Sequence, residues 1–343
     1  MTDYRTSRHY IRIRLTKQIA CFAIFLFGFS TSSFAATTVR LNEVIRSIFY
    51  APQYVALHTG AFEAEGLAIT GPKTTWGTQA ALTEIVSGNS DIALLGPEAA
   101  LLTRDAAPAR RLYNFAQLTN GDGSFILAKT PMPNFKVSDL KGKTIVTTGK
   151  GSTSALALLH IVKQAGLDPS KDLTIRFIPI TSNVIPSYLE ANTTFAQTFE
   201  PAIYKAVAEN KGYRVASVGS LLGQLPYTAY MASGEFIEKH PDVIQSFTNA
   251  IQKGLNWTRE HSAHEVAEMI APDFKDLPVS MIEAVVDEYK KVDIWPRTVL
   301  ITPDGMKKMA DLMVEGGVVK SAGEYADVVK PEFGQKAEAI ADK

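Results

Sequence analysis

Thiol chemistry is almost missing from this chain: Cys21 is the single cysteine among 343 residues, and it sits inside an apolar run near the start. A disulfide framework, a thiolate nucleophile and a cysteine-built zinc site are therefore excluded from everything after that run. An excess of one charge is missing too, since Lys+Arg and Asp+Glu total 35 each. No net field draws nucleic acid or an anionic membrane surface to the protein. The six histidines form no HExxH pattern, and His261 and His264, three residues apart, have no accompanying carboxylate-histidine set, so no metal site is expected. There is no GxSxG elbow and no glycine-rich run ending in Gly-Lys-Ser/Thr, which leaves hydrolase and nucleotide-hydrolysis signatures without support. Long hydrophobic runs are scarce as well: the apolar stretch at 19–29 has about eleven residues, against ~20 for a helix crossing ~30 Å of hydrocarbon. Internal repeats at solenoid periods and low-complexity segments are not found.

What is present begins with a secretory order. Arg5, Arg8, Arg12, Arg14 and Lys17 precede the apolar run, and small and polar residues follow it to Ser33-Phe34-Ala35. Residues 1–35 read as a signal peptide cut after Ala35, with a retained anchor as the alternative. Cys21 lies within the apolar core and not just after a lipobox, so lipid attachment is not expected. About 300 residues follow, near the size at which one core stops growing and chains divide into lobes.

From Thr38 short β-rich runs alternate with helical ones, the pattern of βαβ units around a largely parallel sheet. A strand at 39–44 leads to a helix at 50–66, whose apolar residues recur three and four apart. A strand at 67–70, a helix at 78–88 capped by Thr78 and a strand at 91–96 come next. Pro97 then opens a helix at the first position, where its missing N–H costs nothing. Strands near 112–118 and 125–128 lead to Pro131 and Pro133, where the pattern lapses and a lobe crossover is expected. A second series repeats the alternation over 144–217. After a strand-like run at 225–233 the chain turns to long amphipathic helices, which must bury their apolar stripes, most economically against the first lobe. This assigns 36–129 plus 228–343 to lobe 1 and 130–227 to lobe 2.

Ligands of open α/β sheets collect at the carboxyl ends of strands, so the candidates come from those loops. Ser47, Phe49 and Tyr50 offer a donor and aromatic faces at a helix start, or they only pack that start. Trp76, Gly77 and Thr78 fit the wall of a cleft with open backbone, core packing of Trp76 being the alternative. Gly96 turns the chain from strand to helix and is either architectural or part of the cleft. Ser152 and Thr153, after Gly149 and Gly151, present N–H and hydroxyl groups that can receive a sulfonate, carboxylate or phosphate, against ordinary capping. Glu200, between Phe199 and Pro201, is either the dipole partner of the next helix or a reader of a ligand N–H or ammonium. Asn120 and Asp122 in TNGDGS, and Tyr227, are further candidates for which turn chemistry is the plainer reading.

The segments YAPQYVALHTGAFEAEGL, Trp76-Gly77, ALTEIVSGNSDIALLGPEA, DLKGKTIVTTGKGSTSALAL and TFEPA span most of residues 38–235. They resemble the ABC-transporter solute-binding proteins of the nitrate, sulfonate, taurine and thiamine-pyrimidine-precursor group. The resemblance implies a type II periplasmic binding fold: two lobes, each a mainly parallel sheet flanked by helices, with a helical C-terminal tail on the first lobe. It further implies a periplasmic protein without a cofactor that closes over a small solute and docks on an ABC permease with its ATPase subunit. By position, Ser47, Phe49, Tyr50, Trp76, Gly77, Thr78, Gly96, Ser152, Thr153 and Glu200 fall where that group's cleft residues lie. Ligand identity does not transfer, and no arginine clamp for a strong anion is evident.

The expected function is capture of a small organic solute, sulfonate-, pyrimidine- or aromatic-acid-like, by a monomer that catalyses nothing. A flat or apolar part would stack on Trp76, Phe49 and Tyr50 while Ser152 and Thr153 donate. The alternatives are an enzyme of pyrimidine synthesis on the same fold, which needs a cysteine-rich stretch absent here, and a ligand-sensing module for a membrane receptor.

Overall fold

Ten strands form two five-stranded sheets in a computed structural model that describes residues 36–179 and 183–341. The expected signal segment, 1–35, lies outside the described residues. The first sheet takes β1 (Thr37–Glu43), β2 (Leu67–Thr74), β3 (Ile92–Leu95) and β4 (Leu112–Thr119). The second takes β5 (Ser124–Ala128), β6 (Thr144–Thr148), β7 (Thr174–Ile178), β8 (Phe195–Phe199) and β9 (Tyr213–Ser217). The chain then returns to the first sheet as β10 (Thr228–Ser233). The orders are β2-β1-β3-β10-β4 and β7-β6-β8-β5-β9, the same plan used twice.

In each sheet four strands point one way and one opposes them. β10 is antiparallel to β3 and β4, and β5 is antiparallel to β8 and β9, whereas β1 runs parallel to β2 and β3 and β6 parallel to β7 and β8. The opposing strand is in both cases the one that has just crossed from the other sheet. β3, β4, β5 and β10 are almost wholly buried and mainly apolar, as strands covered on both faces are, with Asn114, Gln117 and Thr119 of β4 as buried polar exceptions.

The crossover expected at Pro131 and Pro133 is corrected by the sheet pairing. The chain changes sheets between Thr119 and Ser124, so the strand at 125–128, counted above with lobe 1, belongs to the second sheet. The Asn-Gly-Asp-Gly run of 120–123 makes the passage, while the two prolines sit exposed in the loop after β5. Two helix expectations also change. The helix at 50–66 is two helices, Ala51–His58 and Ala61–Ala64, and Gly77 holds the cap position of the Thr78–Val86 helix, with Thr78 as its first residue.

The C-terminal helices pack on the first sheet. In the helix Pro241–Glu260, Val243, Ile244, Phe247, Ala250, Ile251 and Leu255 form one buried stripe at spacings of three and four. Phe247 meets Phe62 and Tyr230 at 5.0 Å between ring centroids, and burying such side chains is worth roughly 1.5–3 kcal/mol each. The next helices reach across to the second sheet. From the helix Pro303–Glu315, Glu315 takes His160 at 2.6 Å and Lys163 at 2.8 Å, both on the helix Thr153–Gln164.

Candidate functional site

The carboxyl end of β1 is built around Glu43. Its buried carboxylate accepts from Arg46 Nε at 3.1 Å and Thr74 Oγ1 at 2.7 Å on one oxygen, and from Gln53 Nε2 and Tyr54 Oη, both at 2.8 Å, on the other. Burial raises its pKa, opposed by Thr74, Tyr54 and Arg46. The network pins the loop from Arg46 to Tyr50. Within it Ser47 Oγ accepts from Phe49 N at 3.2 Å, and Trp295 Nε1 donates to the Phe49 carbonyl at 2.9 Å.

The ring of Phe49 is thereby fixed between the two sheets. It touches Tyr50, Tyr289, Tyr227 and Phe199 at centroid distances of 5.7, 5.5, 6.0 and 6.2 Å. Its face lies on the crossover at Gly123, where a Cβ would stand 2.5 Å from the ring. Such aromatic contacts add ~0.5–1.5 kcal/mol each beyond area burial. Phe199 ends β8, so this cluster joins loops from both sheets and the return segment carrying Tyr227.

Two buried carboxylates border the aromatic cluster. Glu98, in the first turn after β3, accepts from Thr153 Oγ1 at 3.0 Å with its Oε1, a bond from one sheet's helices to the other's, while its buried Oε2 has no partner. The carboxylate folds over Gly96, where any Cβ would collide with it, so glycine at 96 is what lets it lie there. Asp122, on the crossover, accepts from Ser124 N at 2.7 Å and from the Ser124 hydroxyl with Oδ1, and the Tyr227 hydroxyl lies against the same carboxylate as a further hydrogen-bond donor. Ser124 continues the chain: Gln197 Nε2 donates to Ser124 Oγ and to the Ser154 carbonyl, both at 2.9 Å, and Thr147 Oγ1 donates to Gln197 Oε1 at 2.7 Å. Burial raises the pKa of both Glu98 and Asp122. The Tyr227 phenol is pushed well above its ordinary range by burial, then by Asp122 and by Glu98, with Ser154 acting the other way. Tyr227 thus stands within electrostatic reach of both carboxylates.

Phe49, Tyr50, Gly96, Thr153 and Tyr227, five of the sequence candidates, converge here. Ser152 stands one residue away as the N-cap of the Thr153–Gln164 helix, accepting from Ala155 N at 3.2 Å, and Ser47 is held as the cap of the loop. Others are engaged elsewhere. Trp76 is 63 % exposed at the end of β2, neither in the core nor enclosed by the aromatic cluster, with Gly77 and Thr78 half-buried beside it. Asn120, with its amide nitrogen turned to them, donates to the carbonyls of Ile294 at 2.9 Å and Asp293 at 3.0 Å, which ties the crossover to the C-terminal region. Glu200 accepts from Tyr204 N at 2.8 Å and pairs with Arg214, which also reaches Glu288 at 2.7 Å. Of its two readings, partner of the next helix is the one this geometry carries.

Sequence reasoning missed Glu98, Phe199, Tyr289 and Trp295. A glutamate directly after Pro97 looks like a first-turn dipole partner. Its neighbour Gly96, at a strand end, was the one available signal that something must fit closely there. Tyr289 and Trp295 lie far along the helical tail, with nothing local to send them to the strand ends.

Among the described residues no group of three or more His, Cys, Asp and Glu side chains is set to hold a metal ion. A surface hollow of about 230 Å³, lined in part by Arg40, Ser90, Asp91, Ser233 and His240, lies at the opposite end of the first sheet and is separate from this cluster.

The NMT1-like family model matches residues 37–271. The chain belongs to the NMT1-like family. One relative of this NMT1-like chain is the protein named "Putative binding protein YtlA" of Bacillus subtilis (strain 168), 32 % identical over 300 residues, 88 % of this chain and 90 % of that one. Solved structures share the fold at lower identity. The periplasmic aliphatic sulphonate binding protein SsuA of Escherichia coli aligns at a TM-score of 0.65 and 19 % identity, over 84 % of this chain and 96 % of its own. A DszB variant in complex with biphenyl-2-sulfinic acid aligns at 0.65 and 13 % identity, over 89 % and 99 %. The fold of this NMT1-like protein is the two-lobed type II periplasmic binding fold, and it has served both a binding protein and, in DszB, a desulfurization enzyme.

Proposed function

We propose that this NMT1-like protein is the solute-capturing component of an ABC importer, holding a small organic molecule between its two lobes and passing it to a membrane permease with its ATPase. In this reading 36–119 plus 228–341 form one lobe and 124–217 the other, and the exported chain works in the periplasm as a monomer. The observation that carries it is the buried meeting of strand-end loops from both sheets at Phe49, Glu98, Asp122 and Tyr227, where ligands of open α/β sheets collect. Thr153 bonding to Glu98 and Arg214 to Glu288 link the lobes directly, and a ligand touching both lobes would favour that closed state in proportion to its contacts with each.

The chain from Ala36 onward has no thiol, and the hydroxyls of Ser124 and Thr153 that reach Asp122 and Glu98 are held within the protein's own hydrogen bonds. Binding without turnover is therefore the reading. The test is native mass spectrometry of purified residues 36–343, followed by thermal unfolding with whatever co-purifies. One small organic molecule at unit stoichiometry, raising the melting temperature as its concentration rises, is the expected result. Conversion of that molecule into a product, or no retained molecule together with no stabilisation by any of a broad solute panel, would overturn it.

A further inference from the structure

Resting on the reading of two lobes that close on a solute, we propose that Glu315 is a clasp that biases the lobes toward the closed state, gripping the second lobe through His160 and Lys163. The helix Thr153–Gln164 belongs to the second lobe, and the helix Pro303–Glu315 is one of the C-terminal helices of the first. On the former, Thr153, Leu156, His160 and Lys163 follow one another at intervals of three, four and three residues, so they share one face. Each of the four meets the other lobe. Thr153 donates to Glu98 at 3.0 Å, and Leu156 lies against the helix end at Gly316, where a Cβ would stand 2.5 Å from it. His160 Nδ1 and Lys163 Nζ meet the two oxygens of Glu315 at 2.6 and 2.8 Å.

Chain connectivity does not force this contact, because the chain passes between the sheets at 120–123 and again between β9 and β10. It is also loose and wet. A hollow of about 20 Å³ remains between Leu156, Leu159, Leu312 and Glu315, and the side chains of His160, Lys163 and Glu315 are all partly exposed. Burial works against ionisation of Glu315, but Lys163 and His160 hold its carboxyl below the ordinary value of 4.5, so it is charged at neutral pH. Partly exposed ion pairs are individually weak, so two of them on one carboxylate tilt a two-state equilibrium rather than lock it. His160 and Lys163 stand seven and ten residues beyond Thr153, about 10 and 15 Å along the helix axis. The grip is therefore applied away from the aromatic cluster, at the far end of the helix whose start meets Glu98.

The experiment exploits the absence of cysteine from residues 36–343. Val86→Cys on the first lobe and Ala208→Cys on the second, both exposed, take one spin label each, and the protein is refolded from urea to free it of any bound solute. Pulsed electron–electron resonance at neutral pH is expected to resolve a closed and an open separation. Glu315→Gln should lower the closed-to-open ratio about two- to fivefold. Lys163→Glu should lower it further by setting like charges together, and adding Glu315→Lys to Lys163→Glu should bring the closed population back toward that of the wild type. A ratio unchanged by Glu315→Gln, a charge exchange that restores nothing, or one and the same separation in every variant would overturn the clasp. No solute enters this measurement, so the clasp can fail while solute capture stands, and the mass of the co-purifying molecule decides the latter separately.

Discussion

Glu43 and Glu98 stand at the carboxyl ends of neighbouring strands of one sheet, both buried, both with pKa raised by burial, and they are finished in opposite ways. Four side chains donate to Glu43 and leave neither oxygen open. One side chain donates to Glu98 and leaves an oxygen bare. The first arrangement is what a fold does with a carboxylate it uses as a frame, since an unmet buried acceptor costs ~1–3 kcal/mol. The second leaves that cost in place on one Glu98 oxygen. The contrast separates a fully satisfied carboxylate from a partly satisfied one more sharply than burial does, because burial is nearly the same for both.

The contrast can be broken most forcefully at Glu43. Glu43→Ala would strand Gln53, Tyr54, Thr74 and the half-buried Arg46, and removing one partner of such a network costs ~3 kcal/mol or more. Urea denaturation of residues 36–343 should show that loss. A cost below ~1 kcal/mol would mean that the network is not the frame of the Arg46–Tyr50 loop.

Glu98→Gln should act with the other sign. The folded protein holds the Glu98 carboxyl above its ordinary value of 4.5, so its contribution to stability is fully present below that value and is lost as pH rises through the raised folded value. At neutral pH the wild type therefore carries a penalty that the neutral amide does not. The amide oxygen can still accept from Thr153, so the unliganded variant should be more stable by ~1 kcal/mol at neutral pH. The difference between the two proteins should shrink toward pH 4. Melting temperatures of both across that range check it, and a variant less stable at neutral pH would place Glu98 with Glu43 as a frame residue.

The sequence displayed the alternation of strands and helices clearly, since its signal is local: apolar runs of four to eight residues, capping residues and helix-period stripes. It displayed the site only in part, for reasons visible in particular residues. Phe49, Tyr50 and Thr153 stand among the candidates because strand-end loops are where such folds keep ligands, and the structure brings them to one cluster. The crossover was misplaced because Pro131 and Pro133 break the pattern more visibly than Asn120-Gly121-Asp122-Gly123, although the latter makes the turn between sheets. Tyr289 and Trp295 reach Phe49 from more than two hundred residues away, and no local pattern encodes a contact of that separation. Glu98 was hidden by a rule that is usually right, that an acid in a first helical turn serves the helix.

The smallest expected effect belongs to Trp76, at the end of β2 in the same sheet. An indole beside glycine at a strand end has the features of a cleft wall, yet 63 % of it faces solvent, and the described residues give it no hydrogen bond or ring contact. An exposed side chain lacking such contacts contributes little to stability, so Trp76→Ala should change the unfolding free energy by less than ~0.5 kcal/mol. Urea denaturation alongside Glu43→Ala puts both strand ends on one scale. A loss near 2 kcal/mol at Trp76 would show that its loop packs in solution against the rim of the site, and the division of this sheet's edge into a satisfied frame at β1 and an open site at β3 would then have to include β2.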